Sequence, residues 1–179
     1  MADVTRQLKL NAVELLRQPG ALRPFDFSID AGPVGVVHPA LDGDVDLHLL
    51  LEALNDGISV TGTIGVPWAG VCRRCLVPLS GVDAVEIDEL YQKTVIDPDA
   101  FVIEDGQLDL NPLVRETALL ALDDERLCRP DCAGLCPNCG IDRNAEQCDC
   151  DTHVSDPRWA ALDSLASIPT DGDPDRRRS

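Results

Sequence analysis

The stretch that decides the fold is VDLHLLLEALNDGISVTGTIGV, residues 45–66. Apolar and polar residues alternate over residues 45–52 and again over residues 58–66. Alternation with a period of two residues is typical of a strand that buries one face. Asn55-Asp56-Gly57, between the two runs, is a turn signal. The sequence therefore predicts a β-hairpin.

A further strand is predicted beyond the hairpin. The second run leads through Trp68 to two cysteines, Cys72 and Cys75, and a strand near residues 82–90 is expected to leave this pair. On the N-terminal side, Asn11 is expected to cap a helix over residues 12–17, with Glu14 placed as in a capping box.

A longer helix is predicted to start at Asn111-Pro112, with Asn111 as the cap and Pro112 at the first helical position. Its apolar residues recur at helical spacing, and it is expected to end near residues 122–123. Leu119, Leu120 and Leu122 widen the apolar surface, so we expect a well-buried helix. A short last helix is predicted from Asp156-Pro157.

These elements predict an α+β fold, with an antiparallel sheet or partial barrel, short flanking helices and cysteine zinc knuckles. We expect a β-rich core domain over residues 1–127 that carries the first pair of zinc ligands. A cysteine-rich zinc module with a helix is expected over residues 128–168. Residues 169–179, rich in Asp, Gly, Pro and Arg, are expected to be a disordered tail.

The chain of 179 residues has a net charge of −17 and only 3% aromatic residues. No apolar run is long enough for a signal peptide or for the roughly 20 residues of a membrane span. We therefore expect a cytoplasmic protein with no membrane partner, and disulfides do not normally persist in the cytoplasm. The acidic surface repels nucleic acid and attracts basic partners. An RNA contact would need a local basic cluster.

Eight cysteines are the residues that carry chemistry. After C-x2-C comes a long gap, and then C-x3-C-x3-C-x2-C-x8-C-x-C. A C-x2-C turn presents two sulfurs to one tetrahedral ion, so eight thiolates suffice for two structural zinc ions. The predicted ligands are Cys72, Cys75, Cys128, Cys132, Cys136, Cys139, Cys148 and Cys150.

Two groupings of these ligands are possible. The first choice places Cys72 and Cys75 with Cys128 and Cys132, which leaves the last four cysteines for a compact second site. A crossed arrangement would place Cys72 and Cys75 with Cys136 and Cys139, and spacing alone does not exclude it. Iron–sulfur clusters, disulfides and a redox dithiol are further interpretations. Spacing and compartment favour zinc. A redox dithiol of the thioredoxin type belongs near a βαβ pattern, and the sequence shows none.

Two groups of charged residues, the arginines among the cysteines and an acidic segment, each have two interpretations. Arg73, Arg74, Arg129 and Arg143 either compensate thiolate charge or form a small basic patch that touches RNA phosphate. Residues 83–109 carry nine acidic residues against the single base Lys93. This segment is either a solvated strand edge and loop or a docking surface for a basic protein.

No catalytic motif is present. The sequence has no G-x-S-x-G, no phosphate-binding glycine loop and no H-E-x-x-H. His38, His48 and His153 are scattered; His48 is expected at the surface, and His153 is a reserve metal ligand. A catalytic zinc keeps an open position, which eight thiolates divided into two fours do not leave. We expect a non-enzyme with no small-molecule substrate.

Several segments together carry a family resemblance. They are LLRQPG at 15–20, CRRCL at 72–76, LDL at 108–110 running into Arg115-Glu116, CRPDCAGLCPNCG at 128–140, and CDC at 148–150 with DPRW at 156–159. In these segments the chain resembles the YceD family, the large ribosomal RNA subunit accumulation proteins of bacteria and plastids. The markers run from about residue 11 to 165, and the cysteine block is the specific part.

The resemblance implies a role in 23S rRNA accumulation, and hence in assembly of the large (50S) ribosomal subunit. It also implies a link to a small zinc-ribbon ribosomal protein. Some family members lack the C-terminal cysteine knuckle, which favours residues 136–150 as a separable module. The expected partners are a precursor of the large subunit, 23S rRNA, a basic ribosomal protein, or several of these. The alternatives are an acidic chaperone for a free ribosomal protein and a zinc- or thiol-dependent enzyme acting on RNA.

Overall fold

The computed structural model describes residues 4–94, 98–123 and 125–151, and Arg158 and Leu162 individually. The chain forms two compact units, of which the first ends at Cys132 and the second begins at Ala133. The domain bounds expected from the sequence stay predictions. The helix predicted from Asp156 and the tail predicted from residue 169 fall on residues outside the described ranges, Arg158 and Leu162 excepted.

The predicted hairpin is confirmed. Strands β3 (Val45–Ala53) and β4 (Gly57–Val71) pair antiparallel, with Leu47 opposite Ile64. Every second residue of β3 is buried, as the alternation of apolar residues predicts. The backbone N–H of Leu54 donates to the carbonyl of Gly57 over 2.8 Å and closes the turn.

Gly62 interrupts the apolar phase of β4 for a steric reason. Its φ of 137° lies in a region that L side chains rarely adopt. A Cβ at this position would overlap the backbone carbonyl oxygen of His48 on the neighbouring strand. The close approach of β3 and β4 therefore requires glycine here.

The hairpin is the centre of a five-stranded sheet with the order β2-β3-β4-β5-β6. Strand β5 (Pro78–Gln92) extends beyond the predicted residues 82–90 and pairs with β4 over its whole length. Strand β2 (Leu22–Ile29), which we did not predict, forms the edge beside β3. The short β6 (Phe101–Val102) pairs parallel to β5, whereas all other pairs in this sheet are antiparallel.

The N-terminal segment contributes short elements: helix α1 (Val4–Gln7), strand β1 (Lys9–Asn11) and helix α2 (Ala12–Leu15). Asn11 caps α2 as predicted, because its side chain accepts from the N–H of Glu14 over 3.1 Å. The helix is shorter than the predicted residues 12–17. Strand β1 pairs antiparallel with β7 (Gln107–Asp109) in a second sheet of two strands. A 3-10 turn covers Gly32–Val34.

Helix α3 (Asn111–Ala121) is the predicted long helix, but two details of the prediction are wrong. Asn111 is its first residue and Leu110 its cap, and the carboxylate of Asp109 accepts the N–H of Asn111 over 2.9 Å. The Asn111 side chain instead donates to the carbonyl of Thr5. Leu120 is 85% exposed, so α3 is buried along one face only.

One face of the large sheet carries the main core, which α3, α2 and the small sheet help to cover. Leu113, Val114 and Ala118 of α3 are buried there, as the helical spacing predicts. The architecture is the predicted α+β class, mostly sheet with few helices. Within the described residues, no helix has the length and apolar character that crossing a membrane requires.

Candidate metal centres

The structure gathers the eight cysteines into two groups of four, which are those of the first-choice grouping. The first tetrad is Cys72, Cys75, Cys128 and Cys132, and the second tetrad is Cys136, Cys139, Cys148 and Cys150. Within each tetrad the sulfur atoms all lie within 4.8 Å of one another. The crossed arrangement is not the one that the structure has.

The first tetrad sits where the β4–β5 hairpin ends. Residues 72–77, the first knuckle, connect Val71 to Pro78, which are paired across the two strands. Within the knuckle, the N–H of Cys72 donates to the carbonyl of Val77 over 2.8 Å, and the N–H of Leu76 donates to Cys72 over 2.9 Å. The other two sulfurs come from the segment that follows α3.

Sulfur–sulfur distances in the first tetrad fit a tetrahedral ion. Sγ of Cys72 lies 3.8 Å from Sγ of Cys132, and Sγ of Cys75 lies 3.7 Å from Sγ of Cys128. A regular tetrahedron with metal–sulfur bonds of about 2.3 Å has edges of about 3.8 Å. A disulfide needs about 2.05 Å, so neither pair is bonded. The donor set therefore fits one metal ion with four thiolate ligands.

Backbone N–H groups prepare one thiol of the first tetrad for ionisation. The N–H of Cys75 lowers the pKa of Cys72 to about 6, against burial, which raises it. Burial, followed by the neighbouring thiols, raises the pKa of Cys128 to about 12. Four sulfurs this close cannot all carry charge without a compensating cation, and the pKa values of Cys72 and Cys128 accordingly lie far apart.

The second tetrad is built on a turn of the same kind. Residues 136–141 form the second knuckle, in which the N–H of Cys136 donates to Ile141 and the N–H of Gly140 donates to Cys136, each over 2.9 Å. Both knuckles thus share two hydrogen bonds between equivalent positions. Leu135 and Asp142 bridge antiparallel at the base of the second knuckle, as Val71 and Pro78 do at the first.

The thiols of the second tetrad repeat the contrast of the first. The N–H groups of Cys139 and Asn138 lower the pKa of Cys136 to about 6. Contact with Cys139, followed by burial, raises the pKa of Cys150 to about 12. Cys136 is buried, whereas Cys139 is exposed. The first cysteine of each knuckle is therefore buried and acidified by backbone N–H groups.

Three of the four candidate arginines make contacts within the first unit. Arg73 pairs with Glu125, and Arg74 donates to the carbonyl of Cys132 over 3.0 Å. Nε of Arg129 lies 3.4 Å from a carboxylate oxygen of Asp131. The contacts of Arg73 and Arg74 join the first knuckle to the segment after α3, whereas that of Arg129 lies within this segment. An RNA contact of these arginines stays a prediction.

Arg143 differs from the other three. Its backbone N–H donates to the carbonyl of Gly134 over 2.9 Å. Its guanidinium has no ion pair to any residue in the described part of the chain, and the residue is exposed. Among the four candidates, Arg143 is therefore the one whose side chain is available for a partner.

Trp68, Asp83 and Arg126 form a cluster that we did not predict from the sequence. The guanidinium of Arg126 lies 3.7 Å from the centre of the Trp68 ring, and both side chains donate to the carboxylate of Asp83. The carbonyl of Arg126 accepts the N–H of Arg73 over 3.0 Å. This cluster ties the first knuckle to the sheet. Asp83 is therefore neutralised within the fold and does not belong to an acidic docking surface.

His38 and His48, the histidines within the described residues, belong to neither group of potential metal ligands. Nδ1 of His48 lies 3.0 Å from the Asp26 carboxylate, and both side chains are about two-thirds exposed, as expected for a surface pair. His38 accepts from the backbone N–H of Ala40 over 3.2 Å. His153 lies outside the described residues, so its role as a reserve ligand stays a prediction.

Comparison with known proteins gives one family and a set of mycobacterial relatives. The model of the family described as "Large ribosomal RNA subunit accumulation protein YceD" matches residues 60–166. An uncharacterized protein of Mycobacterium bovis is 31% identical over 169 residues, which cover 89% of this chain and 81% of the relative. An uncharacterized protein of Mycobacterium leprae is 28% identical over 175 residues, covering 91% and 80% respectively. No solved structure matches the chain.

The family match contains all eight of the proposed cysteine ligands. It spans the first knuckle, α3 and the second tetrad, and it covers more than half of the chain. The chain therefore belongs to the YceD family of large ribosomal RNA subunit accumulation proteins.

Proposed function

We propose that the protein is a non-catalytic, zinc-binding factor in biogenesis of the large ribosomal subunit, needed for accumulation of 23S rRNA. The observation that carries the proposal is the presence of two all-cysteine tetrads in a member of this family. We place its action in the cytoplasm, where the large subunit is assembled.

Zinc is the metal that this donor set favours. Four thiolates at tetrahedral spacing suit Zn²⁺, which has no redox chemistry of its own. A cluster of two or four irons would lie between the sulfurs and spread them further apart, whereas the sulfurs of each tetrad all lie within 4.8 Å of one another. We therefore expect two zinc ions per chain, held by Cys72, Cys75, Cys128 and Cys132 and by Cys136, Cys139, Cys148 and Cys150.

A role in binding follows from the same donor sets. Four protein ligands saturate a tetrahedral ion, so neither ion would have an open position for water or substrate. The zinc ions would instead fix the ends of loops, in the way that structural zinc contributes to folding. The protein would act by contact with ribosomal protein, with rRNA, or with both.

Charge distribution separates these two kinds of contact. With a net charge of −17, the protein would attract basic ribosomal protein over most of its surface. An rRNA contact would be confined to the arginines beside the cysteines, and Arg143 is the strongest candidate because its guanidinium has no described ion pair. Arg73, Arg74 and Arg129 would have to exchange their present contacts for phosphate.

Sedimentation of a cell lysate through a sucrose gradient tests the proposal. At low and moderate salt we expect the protein to co-migrate with immature large-subunit particles. Migration at the top in a small complex with one basic protein would support an acidic chaperone instead. Migration as a free monomer at both salt concentrations would contradict both binding roles and favour an enzyme.

Depletion and complementation test the link to 23S rRNA. Cells without the protein should show a lowered ratio of 23S to 16S rRNA, which the wild-type chain restores. We expect Arg143→Gln to restore it less well than Arg23→Gln, a matched loss of one exposed charge on β2. Equal restoration by both variants would remove Arg143 from the proposed rRNA contact without affecting the role in assembly.

A further inference from the structure

A cavity of about 350 Å³ lies apart from the cysteine tetrads, beside the end of β5. We call it the Tyr91 cavity. Strands β1, β5, β6 and β7 and the start of α3 line it. The residues that matter for its chemistry are Lys9, Tyr91, Phe101, Glu104, Asp105 and Asp109.

Two aromatic rings form the apolar wall of this cavity. Tyr91 and Phe101 are stacked with ring centres 4.9 Å apart and planes inclined by 16°. Tyr91 is 1% exposed, and its hydroxyl has no hydrogen-bond partner among the described residues. A buried hydroxyl without a partner is unfavourable unless water or a ligand supplies one. The accessible part of this wall is therefore the ring of Phe101, with the buried Tyr91 ring stacked against it.

The open side of the cavity is negatively charged. Glu104 and Asp105 are exposed at its rim, and neither has an ion pair with any residue in the described ranges. Asp109 is compensated by Lys9, whose Nζ lies 3.1 Å from it. Burial raises the pKa of Tyr91, and the charges of Glu89, Asp109 and Glu116 raise it further. The surroundings of the ring therefore carry an excess of negative charge.

The ligand that fits is an organic cation and not a bare metal ion. Among the described residues, only the two cysteine tetrads bring three or more potential metal-binding atoms within 4.8 Å of one another. The carboxylate oxygens around this cavity are thus too far apart to coordinate one metal ion together. Negative potential excludes phosphate, and hence RNA, from the same place.

We propose that the Tyr91 cavity binds the guanidinium group of an arginine side chain on a basic partner protein. The planar group would stack on the ring of Phe101, the partly exposed member of the aromatic pair, as guanidinium does on aromatic faces. Its N–H groups would donate to the carboxylates of Glu104 and Asp105. The site goes beyond the proposed role in ribosome assembly and stands whether or not the partner is a ribosomal protein.

Tyrosine-selective NMR gives a direct test, because Tyr91 is the only tyrosine of the chain. The full chain, loaded with zinc and labelled with ¹³C-tyrosine, is titrated with acetyl-Gly-Arg-Gly-amide at about 150 mM salt. We expect a saturable shift of the Tyr91 ring signals. The lysine peptide should bind several-fold more weakly, since ammonium does not stack as a planar group. The absence of a saturable shift with the arginine peptide would overturn the proposal.

Charge-neutralised variants separate a specific site from general attraction. The test variant is Glu104→Gln with Asp105→Asn; asparagine tolerates the positive φ of 50° at residue 105. The control is Glu86→Gln with Asp88→Asn, which removes the same charge from exposed positions of β5. We expect about fivefold weaker arginine binding in the test variant and less than about twofold in the control. Equal weakening in both variants would overturn the proposal.

Discussion

Leu76 and Gly140 occupy the same position in the two knuckles, and both have a left-handed backbone, with φ values of 59° and 76°. Each donates its N–H to the first cysteine of its own knuckle, Cys72 or Cys136, over 2.9 Å. Glycine adopts this conformation freely, whereas leucine does so at a cost of roughly 1–2 kcal/mol. The first knuckle therefore keeps a strained residue where the second has a relaxed one.

This difference predicts opposite effects of two substitutions. Leu76 is 57% exposed, so Leu76→Gly loses little packing and should stabilise the zinc-bound first knuckle by about 1 kcal/mol. Gly140→Ala should weaken zinc binding at the second tetrad by about 1 kcal/mol. A Cβ at Gly140 meets no atom within 4 Å, so that loss would be conformational. Chelator competition measures both; shifts of the same sign in the two variants would contradict the prediction.

Serine substitution should distinguish the two tetrads. Cys72 is buried at the end of the β4–β5 hairpin, so Cys72→Ser should remove the proposed ion, which would join the sheet to the segment after α3. We expect the melting temperature of the zinc-loaded protein to fall by on the order of 10 °C. An unchanged melting temperature would mean that the first ion contributes nothing to the stability of the sheet.

Cys136→Ser is the matched comparison in the second tetrad. It should reduce the zinc content from two ions to one while the unfolding of the first unit stays at the wild-type temperature, since the contacts divide the chain after Cys132. Elemental analysis and calorimetry on the same sample measure both. A fall as large as that of Cys72→Ser would show that the two units unfold together.

The elements that were predictable from the sequence are those with strong local patterns. The β3–β4 hairpin was predictable because burial alternates at every residue of β3. Strand β2 has only Phe25 and Ile29 buried, so it shows no period of two. Strands β1 and β7 are three residues long and pair across the chain, which leaves no local signal. Strand β6 pairs with the nearby β5, but it has only two residues and so shows no alternation either.

The candidate sites follow the same rule. The tetrads were predictable because cysteine spacing is itself local and chemically specific. The cluster of Trp68, Asp83 and Arg126 was not, because its members are far apart in sequence and each is an ordinary residue type by itself. Asp83 was counted with the acidic surface for that reason, although its carboxylate is bound to Arg126 and Trp68.

Zinc affinity should fall as the pH falls. Metal binding must displace every proton held by the four thiols. At Cys75 the N–H of Val77 lowers the pKa, but burial and the neighbouring thiols outweigh it and raise the pKa above the usual 9.0. Cys128 has a pKa of about 12. Both thiols are thus protonated near neutral pH in the metal-free protein.

At least two protons should therefore leave the first tetrad for each ion bound at about pH 7. Below about pH 6 Cys72 also becomes protonated, so affinity should fall more steeply there. Calorimetric titrations in buffers of different ionisation enthalpy measure the proton release. A release that does not exceed one proton per ion at the first tetrad, measured in the Cys136→Ser variant, would contradict this account.

Arg126 is expected to couple the first tetrad to the sheet. Its side chain is 19% exposed, pairs with Asp83, donates to the carbonyl of Ala121 over 2.9 Å and stacks on Trp68. Its backbone carbonyl holds the N–H of Arg73 in the first knuckle. Arg126→Met keeps the length of the side chain but removes the charge and the donors. We expect the free energy of unfolding to fall by about 2–3 kcal/mol.

Zinc release from the first tetrad should also be faster in Arg126→Met. The backbone carbonyl of residue 126 accepts the N–H of Arg73, and without the arginine side chain this part of the backbone is no longer fixed to the sheet. Arg23→Met, an equal loss of charge at an exposed position of β2, should change neither property.

A double-mutant cycle with Asp83→Asn tests whether the ion pair carries the effect. Residues in direct contact are not additive, so the double variant should lose less stability than the sum of the single variants by about 1 kcal/mol or more. Chelator-induced zinc release and denaturant unfolding measure the two properties separately. If the single effects add, Asp83 and Arg126 act independently, and the stability that Arg126 provides comes from its stacking on Trp68 and its hydrogen bond to Ala121.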